Sequence, residues 1–264
     1  METVQLERQH ERRDVIQNEL RWHEEEAHRR QRLDELLYKA PAFDDIVEDQ
    51  LAFLDPARSH LLLEIGSGTG KETLILSRRG HTVYTIDLSY VQIAAAKAQV
   101  LNKHASANVV WVQANAEELP FADGVFSAVY GKAILHHLDL GLAAEEVKRV
   151  LQDAGRASFA EPLAGHPLIW LGRRLTPHLR TRDEHPLKWS ELTAFAAQFD
   201  ALPVKYFYIL APLAYFLRLV PGLARTFNLF WHVLRHVDQK LLDFLPFLRR
   251  LAWYGVISLR KPLR

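Results

Sequence analysis

From about residue 60 the chain alternates short apolar runs with stretches of helical period. The runs predict strands at Leu61–Ile65, Thr82–Ile86, Asn108–Val112, Val125–Tyr130 and Arg156–Ala160. The intervening patterns predict helices at Lys71–Arg79, Tyr90–Lys103 and Leu140–Leu151. Such alternation implies βαβ units, and hence an α/β fold with a largely parallel sheet covered by helices on both faces. Strand twist makes its crossovers right-handed. Upstream, residues 1–40 alternate charges densely, with Leu33, Leu36 and Leu37 at helical spacing. The later part of this segment reads as an amphipathic helix on the domain edge, with a lid or an oligomer contact as the alternatives. Residues 161–187 hold Pro162, Pro167, Pro177 and Pro186 and read as a loop-rich excursion from the sheet's carboxyl edge. A helix near Ser190–Phe199, a strand near Val204–Ile209 and a last strand at Trp253–Leu259 complete the core. The division is then 1–55, an N-terminal helical cap; 56–210, the core; 211–250, a helical apolar and basic insertion; and 251–264, a final strand and tail.

Composition narrows the setting. The 264 residues are 48% hydrophobic and 25% charged, which suits a folded globular chain. With no cysteine, a disulfide framework, a thiolate zinc site and a cysteine nucleophile are excluded together, and a reducing, cytoplasmic setting is expected. The charged first twenty residues do not read as a secretory signal. The net charge of +1 conceals an asymmetry: residues 201–264 carry ten Lys/Arg against two Asp/Glu.

Chemistry enters at Leu61-Leu62-Leu63-Glu64-Ile65-Gly66-Ser67-Gly68-Thr69-Gly70-Lys71, where an apolar strand meets a glycine loop and then a helix. Glycines let the backbone turn tightly and approach a ligand, and the free amides of the helix favour an electron-rich group. A dinucleotide fingerprint would need glycine where Lys71 stands, and the P-loop pattern is absent. The next strand ends in Asp87-Leu88, where a carboxylate can accept hydrogen bonds from both hydroxyls of a ribose. The third ends near Asn115-Ala116-Glu117-Glu118-Leu119-Pro120-Phe121, where Asn115 and neighbouring amides can read an adenine edge. Any one of these would pass for a turn; three in order, at successive strand ends, form a site.

On these residues the sequence resembles the class I S-adenosylmethionine-dependent methyltransferases, in their small-molecule branch, over about residues 60–162. Glu64 to Gly70 is similar to the family's first motif, Asp87 to its ribose acid and Asn115 to Phe121 to its adenine-binding stretch. Asn115 and Ser127 stand where aspartates are usual, and Asp153-Ala154-Gly155 where Gly-Gly is usual. The resemblance implies a Rossmann-like sheet of seven strands with the last antiparallel. It also implies S-adenosylmethionine as cofactor, S-adenosylhomocysteine as product, and cofactor contacts at Glu64, Gly66, Ser67, Gly68, Gly70, Asp87, Leu88, Asn115, Ala116 and Glu117.

The acceptor is less constrained. The Asn/Asp-Pro-Pro-aromatic tetrad of nucleic-acid amino-methyltransferases and the paired glutamates of arginine methyltransferases are both missing after the fourth strand, and no nucleic-acid partner is expected. The stretch there contains His136-His137, adjacent and so pointing in different directions; either is a suitable base for a hydroxyl. Glu161, ending the fifth strand, reads either as orienting an acceptor or as anchoring the Pro162 turn. His166, Asp183, Glu184 and His185 read as surface residues of the excursion, with entry to the pocket as the alternative. His232 and His236 share a helix face but lack a third ligand, so no metal is expected. The expected reaction is O-methylation of a small, largely apolar metabolite, with C- or N-methylation and a non-methylating binding protein as alternatives. The apolar, basic C-terminal region reads as a cap over the pocket. Two further readings bring it against an anionic membrane surface or an acidic acceptor.

Overall fold

The computed structural model describes residues 14, 16–18, 20–21, 43–54, 61–175, 185–219 and 222–262. The predicted N-terminal helix around Leu33, and Asp183 and Glu184, lie outside the described residues. In chain order come α1 (Asp44–Leu54), β1 (Leu61–Ile65), α2 (Lys71–Arg78), β2 (Thr82–Asp87), α3 (Tyr90–Lys103), β3 (Val109–Gln113) and β4 (Phe126–Lys132). Then follow α4 (Leu140–Val150), β5 (Leu151–Pro162), α5 (Pro167–Leu175), α6 (Trp189–Ala196), β6 (Asp200–Ala201) and β7 (Lys205–Phe207). The chain closes with α7 (Phe216–Leu219), α8 (Phe227–Phe244) and β8 (Tyr254–Arg260), with 3₁₀ turns between.

The sheet runs β3-β2-β1-β4-β5-β8-β6, with β7 also on β8. Pairings from β3 to β5 are parallel, and β8 is antiparallel to its neighbours. Eight strands replace the expected seven, because the position before the last strand is filled by two short pieces, β6 and β7. The fold class is as expected: α/β, mostly parallel, helices on both faces.

Alternation along the strands assigns the faces. Leu63, Val129, Phe159 and Ile257 face α4 and α6, where Ala143, Val147, Leu192 and Phe195 meet them. On the opposite face Leu62, Val83, Ala128 and Tyr130 receive Val47, Leu51 and Leu54 of α1. Farther along that face, Ala160, Tyr254 and Val256 meet the capping segments through Tyr208, Phe227 and Trp231. Buried Gln50 of α1 donates from Nε2 to the carbonyls of Gly131 (3.0 Å) and Ser158 (3.1 Å), which locks α1 across β4 and β5.

Two expectations need correction. The excursion over 161–187 is not all loop, because Pro167 begins α5. Proline is tolerated in a helix's first turn, where its missing N–H would have no partner. The strand predicted at Arg156–Ala160 spans Leu151–Pro162, with an irregularity in its pairing between Phe126 and Ala128.

Candidate functional site

A cleft of about 230 Å³ opens at the carboxyl edge of the sheet. One end is made by successive strand termini: Gly66 and Gly68 after β1, Asp87 and Leu88 after β2, and Asn115, Ala116 and Glu117 after β3. Gly66 turns at φ +85°, a left-handed conformation that side chains disfavour. At Gly70, the N-cap of α2, a Cβ would come within 2.9 Å of the Ala96 carbonyl oxygen, so glycine is needed for α2 and α3 to approach.

Asp87 ties the loop to β2. Its Oδ2 accepts from Ser67 Oγ (3.2 Å) and the Gly68 amide (3.3 Å), and its Oδ1 accepts from the Ser89 amide (3.0 Å). Asn115 Oδ1 accepts from the Glu117 amide (3.0 Å), and Glu117 Oε1 accepts from the Asp139 amide (2.7 Å) at the start of α4. Glu64 takes no place in the cleft wall. It is buried on the α1 face, where its Oε2 accepts from Thr73 Oγ1 at 2.6 Å. Burial pushes its carboxyl up to about 8, against the hydrogen bond from Thr73. Ser67 and Gly70 likewise shape the loop without lining the cleft.

The other end is lined by Phe43, Glu72, Lys132, Ile134, His137 and Tyr254. Lys132 pairs with Glu72, both side chains largely buried, and its Nζ sits 5.6 Å from the Phe43 ring centroid. Burial raises the Glu72 carboxyl, but Lys132 and Lys71 outweigh it and hold the group below the usual carboxylate range. This ion pair, and Phe43 and Tyr254 beside it, were not singled out from sequence. The acid comes from α2, the cation from the end of β4, and the two rings from opposite ends of the chain.

The structure separates the two adjacent histidines. His137 lines the cleft, whereas His136 is buried behind it, with ring centroids 4.2 Å apart. Glu161 holds that arrangement: its Oε1 accepts from the amides of Ile134 and Leu135, each at 2.8 Å, and its Oε2 lies 2.8 Å from His136 Nδ1. Glu161 is fully buried and away from the cleft wall, as is His136, so both set the turn that presents His137. His166 packs away from the cleft with Nε2 2.9 Å from the Ile209 carbonyl, and desolvation lowers its pKa. Among the described residues no cluster of three His, Cys, Asp or Glu is arranged to hold a metal.

Residues 63–159, which carry these strand ends, match the family described as methyltransferase domain. The chain carries a methyltransferase domain over these residues and is similar to S-adenosylmethionine-dependent methyltransferases. The O-methyltransferase CnsE of Penicillium expansum is 32% identical over 116 residues, 43% of this chain and 42% of that one. The methyltransferase GfsG of Streptomyces halstedii is 30% identical over 124 residues, 46% and 45% of the two chains. The chain thus spans less than half the length of these curated relatives. Among solved structures, the geranyl diphosphate C-methyltransferase of Streptomyces coelicolor A3(2) superposes with a TM-score of 0.58 at 17% identity, over 83% of this chain and 79% of that one. At this identity the likeness shows the fold alone, over a longer stretch of the chain than the matched domain.

Proposed function

We propose that the protein transfers the methyl group of S-adenosylmethionine to a hydroxyl oxygen of a small, largely apolar metabolite. The observation that carries this reading is a cleft at the carboxyl edge of the sheet with two unlike ends. Asp87 suits the ribose hydroxyls, Asn115 to Glu117 suit the adenine, and the Gly66–Gly70 loop leaves backbone room for the methionine part. The donor set therefore fits the cofactor. When bound, S-adenosylmethionine supplies a methyl group already activated on a sulfonium, with a neutral thioether as leaving group.

The chain's own residues then have three tasks. Phe43, Ile134 and Tyr254 hold an apolar acceptor and exclude water. The walls fix acceptor and methyl in line, a contribution of ~7–11 kcal/mol in favourable cases. His137 takes the hydroxyl proton as the oxygen–carbon bond forms, which is worth roughly 10²–10⁴-fold. Glu161 and His136 act through the turn they hold and are positioning residues. Methyl transfer, to oxygen in the case of CnsE, is also what the names of these curated relatives describe for those proteins.

The test uses methyl-labelled S-adenosylmethionine with apolar hydroxylated acceptors, the products being partitioned between organic solvent and water. Label is expected in the organic phase. His137→Gln is expected to lower kcat by roughly 10²–10⁴-fold while cofactor affinity holds. Full activity of that variant would remove His137 as the base. Tight cofactor binding without transfer to any acceptor would remove the reaction itself.

A further inference from the structure

α8 (Phe227–Phe244) has two apolar faces. Its inner face, Phe227, Trp231 and Leu242, is buried against the core. At 3.6 residues per turn, Leu229, Phe230, Val233, Val237 and Phe244 fall on a second stripe, divided from the first on one side by Asn228, His232, Gln239 and Asp243 and joined to it on the other by half-buried Leu234 and Leu241. That second stripe is in solvent: Leu229 is 65% exposed and Phe244 81%. The 3₁₀ turn after it continues the pattern, with Phe247 69% exposed between α8 and the exposed pair Arg249 and Arg250. The loop into α5 presses on this turn so closely that a Cβ on Gly165 would lie 1.9 Å from the Arg250 carbonyl oxygen. α5 itself buries no residue and exposes Trp170, Leu171 and Leu175, with Arg174 over the Trp170 ring.

The exposed charge on these elements is predominantly positive. Arg225, Lys240, Arg249 and Arg250 are exposed. Residues 201–264 contain two acids, and one, Asp238, is buried with its carboxylate accepting from the amides of Ile209, Leu210 and Ala211. Only Asp243 faces outward.

We infer that the outer face of α8 and the turn after it docks on an anionic lipid surface. Exposed Phe and Leu beside Lys and Arg suit the boundary between headgroups and acyl chains, where apolar side chains enter and cations meet lipid phosphates. Pairing with a second copy would place the same cations opposite each other, which is unfavourable. No helix among the described residues is long and apolar enough to cross a membrane, so the contact is peripheral. The opposite face of α8 packs on Phe43 and Tyr254, which wall the acceptor end of the cleft. On the reading of the cleft given above, docking would bring that end near an acceptor dissolved in the bilayer.

The full chain, without acceptor or cofactor, is mixed with phosphatidylcholine vesicles and with vesicles containing about one third phosphatidylserine, and bound protein is read by flotation. Binding to the anionic vesicles is expected to exceed that to neutral ones by at least about tenfold at low salt, and to fall in about 0.5 M salt. Lys240→Glu with Arg250→Glu should abolish the preference. Phe244→Glu with Phe247→Glu should abolish binding while thermal stability holds. No binding at low salt, equal binding to neutral vesicles, or loss of a dimer in the Phe244→Glu, Phe247→Glu variant without any vesicle binding would overturn the inference. Methyl transfer is not read in this experiment, so its failure and the failure of the proposed reaction are separate results.

Discussion

At the end of the cleft proposed above for the cofactor, β1, β2 and β3 deliver Gly66, Asp87 and Asn115 from consecutive strand termini. At the end proposed for the acceptor, Phe43, Lys132, His137 and Tyr254 are brought together from α1's leading edge, the β4 terminus, a 3₁₀ turn and the first residue of β8. The first end is held by hydrogen bonds from backbone amides to the side-chain oxygens of Asp87 and Asn115. The second rests on an aromatic cluster in which Phe43 meets Tyr208, Trp231, Trp253 and Tyr254 with centroids 5.1–6.2 Å apart. Local turns can hold one ligand constant while long-range packing is free to change the other. The two ends should therefore fail independently.

The largest effect expected from breaking one end alone comes at Trp231. It is fully buried, stacks on Phe227 at 5.8 Å and meets Tyr208 at 5.0 Å. Trp231→Ala should cost ~3–5 kcal/mol of stability by thermal denaturation. Where the variant is still folded, acceptor KM should rise while the cofactor Kd, read by calorimetry, stays within about twofold, because the sites do not share partners. A matching loss of cofactor affinity would mean that the two ends are one cooperative unit.

The next largest effect belongs to Glu64, beneath the cofactor loop. Its folded-state carboxyl is raised to about 8 from 4.5. A raised value means its contribution to stability is fully present below about pH 4.5 and is lost as pH rises through about 8. In the cofactor-free protein, the stability difference between wild type and Glu64→Gln should therefore shift by a few kcal/mol in favour of the variant across that window. Urea unfolding at several pH values measures it, and a difference that does not change with pH would mean Glu64 is ionised in the fold.

The same contrast decides what was legible in the sequence. β1 to β4 and their helices were readable to within about two residues, because apolar period and glycine punctuation are local signals. Asp87 and Asn115 were readable as residues of one cleft, because strand ends in an α/β sheet converge on its carboxyl edge. His136 and His137 were readable as a pair but not as individuals. What separates them is Glu161, which captures His136 together with the Ile134 and Leu135 amides from the neighbouring strand. Phe43 and Tyr254 gave no signal, since an aromatic residue before a helix or at a strand start is ordinary core, and only tertiary packing makes them a wall. α5 was hidden by the prolines around it, although Pro167 sits where a helix accepts one.

Asp87 probes the cofactor end with a smaller energy. Asp87→Ala removes the acceptor for Ser67 Oγ and for the Gly68 and Ser89 amides. Cofactor affinity should fall at least about tenfold by calorimetry, equivalent to about 1.4 kcal/mol. Acceptor KM, measured at saturating cofactor, should change little. Unchanged cofactor affinity would remove Asp87 from the site and leave the glycine loop as a turn alone.

The smallest effect sharpens the comparison on a single helix. Trp231 and Phe230 are adjacent on α8, yet one is buried and the other is 47% exposed. Phe230→Ser removes an aromatic ring as large as many in the core, but that ring covers no cavity wall and satisfies no buried partner. Surface changes of this kind stay within about 0.5 kcal/mol. Thermal denaturation should therefore place Phe230→Ser close to the wild type, while Trp231→Ala is severely destabilised. A large loss at Phe230 would mean that the outer stripe is already packed within the folded chain, leaving no free apolar face for a lipid surface. A small loss keeps that stripe as surface whose retention folding alone does not explain, because a polar residue there would cost the fold nothing.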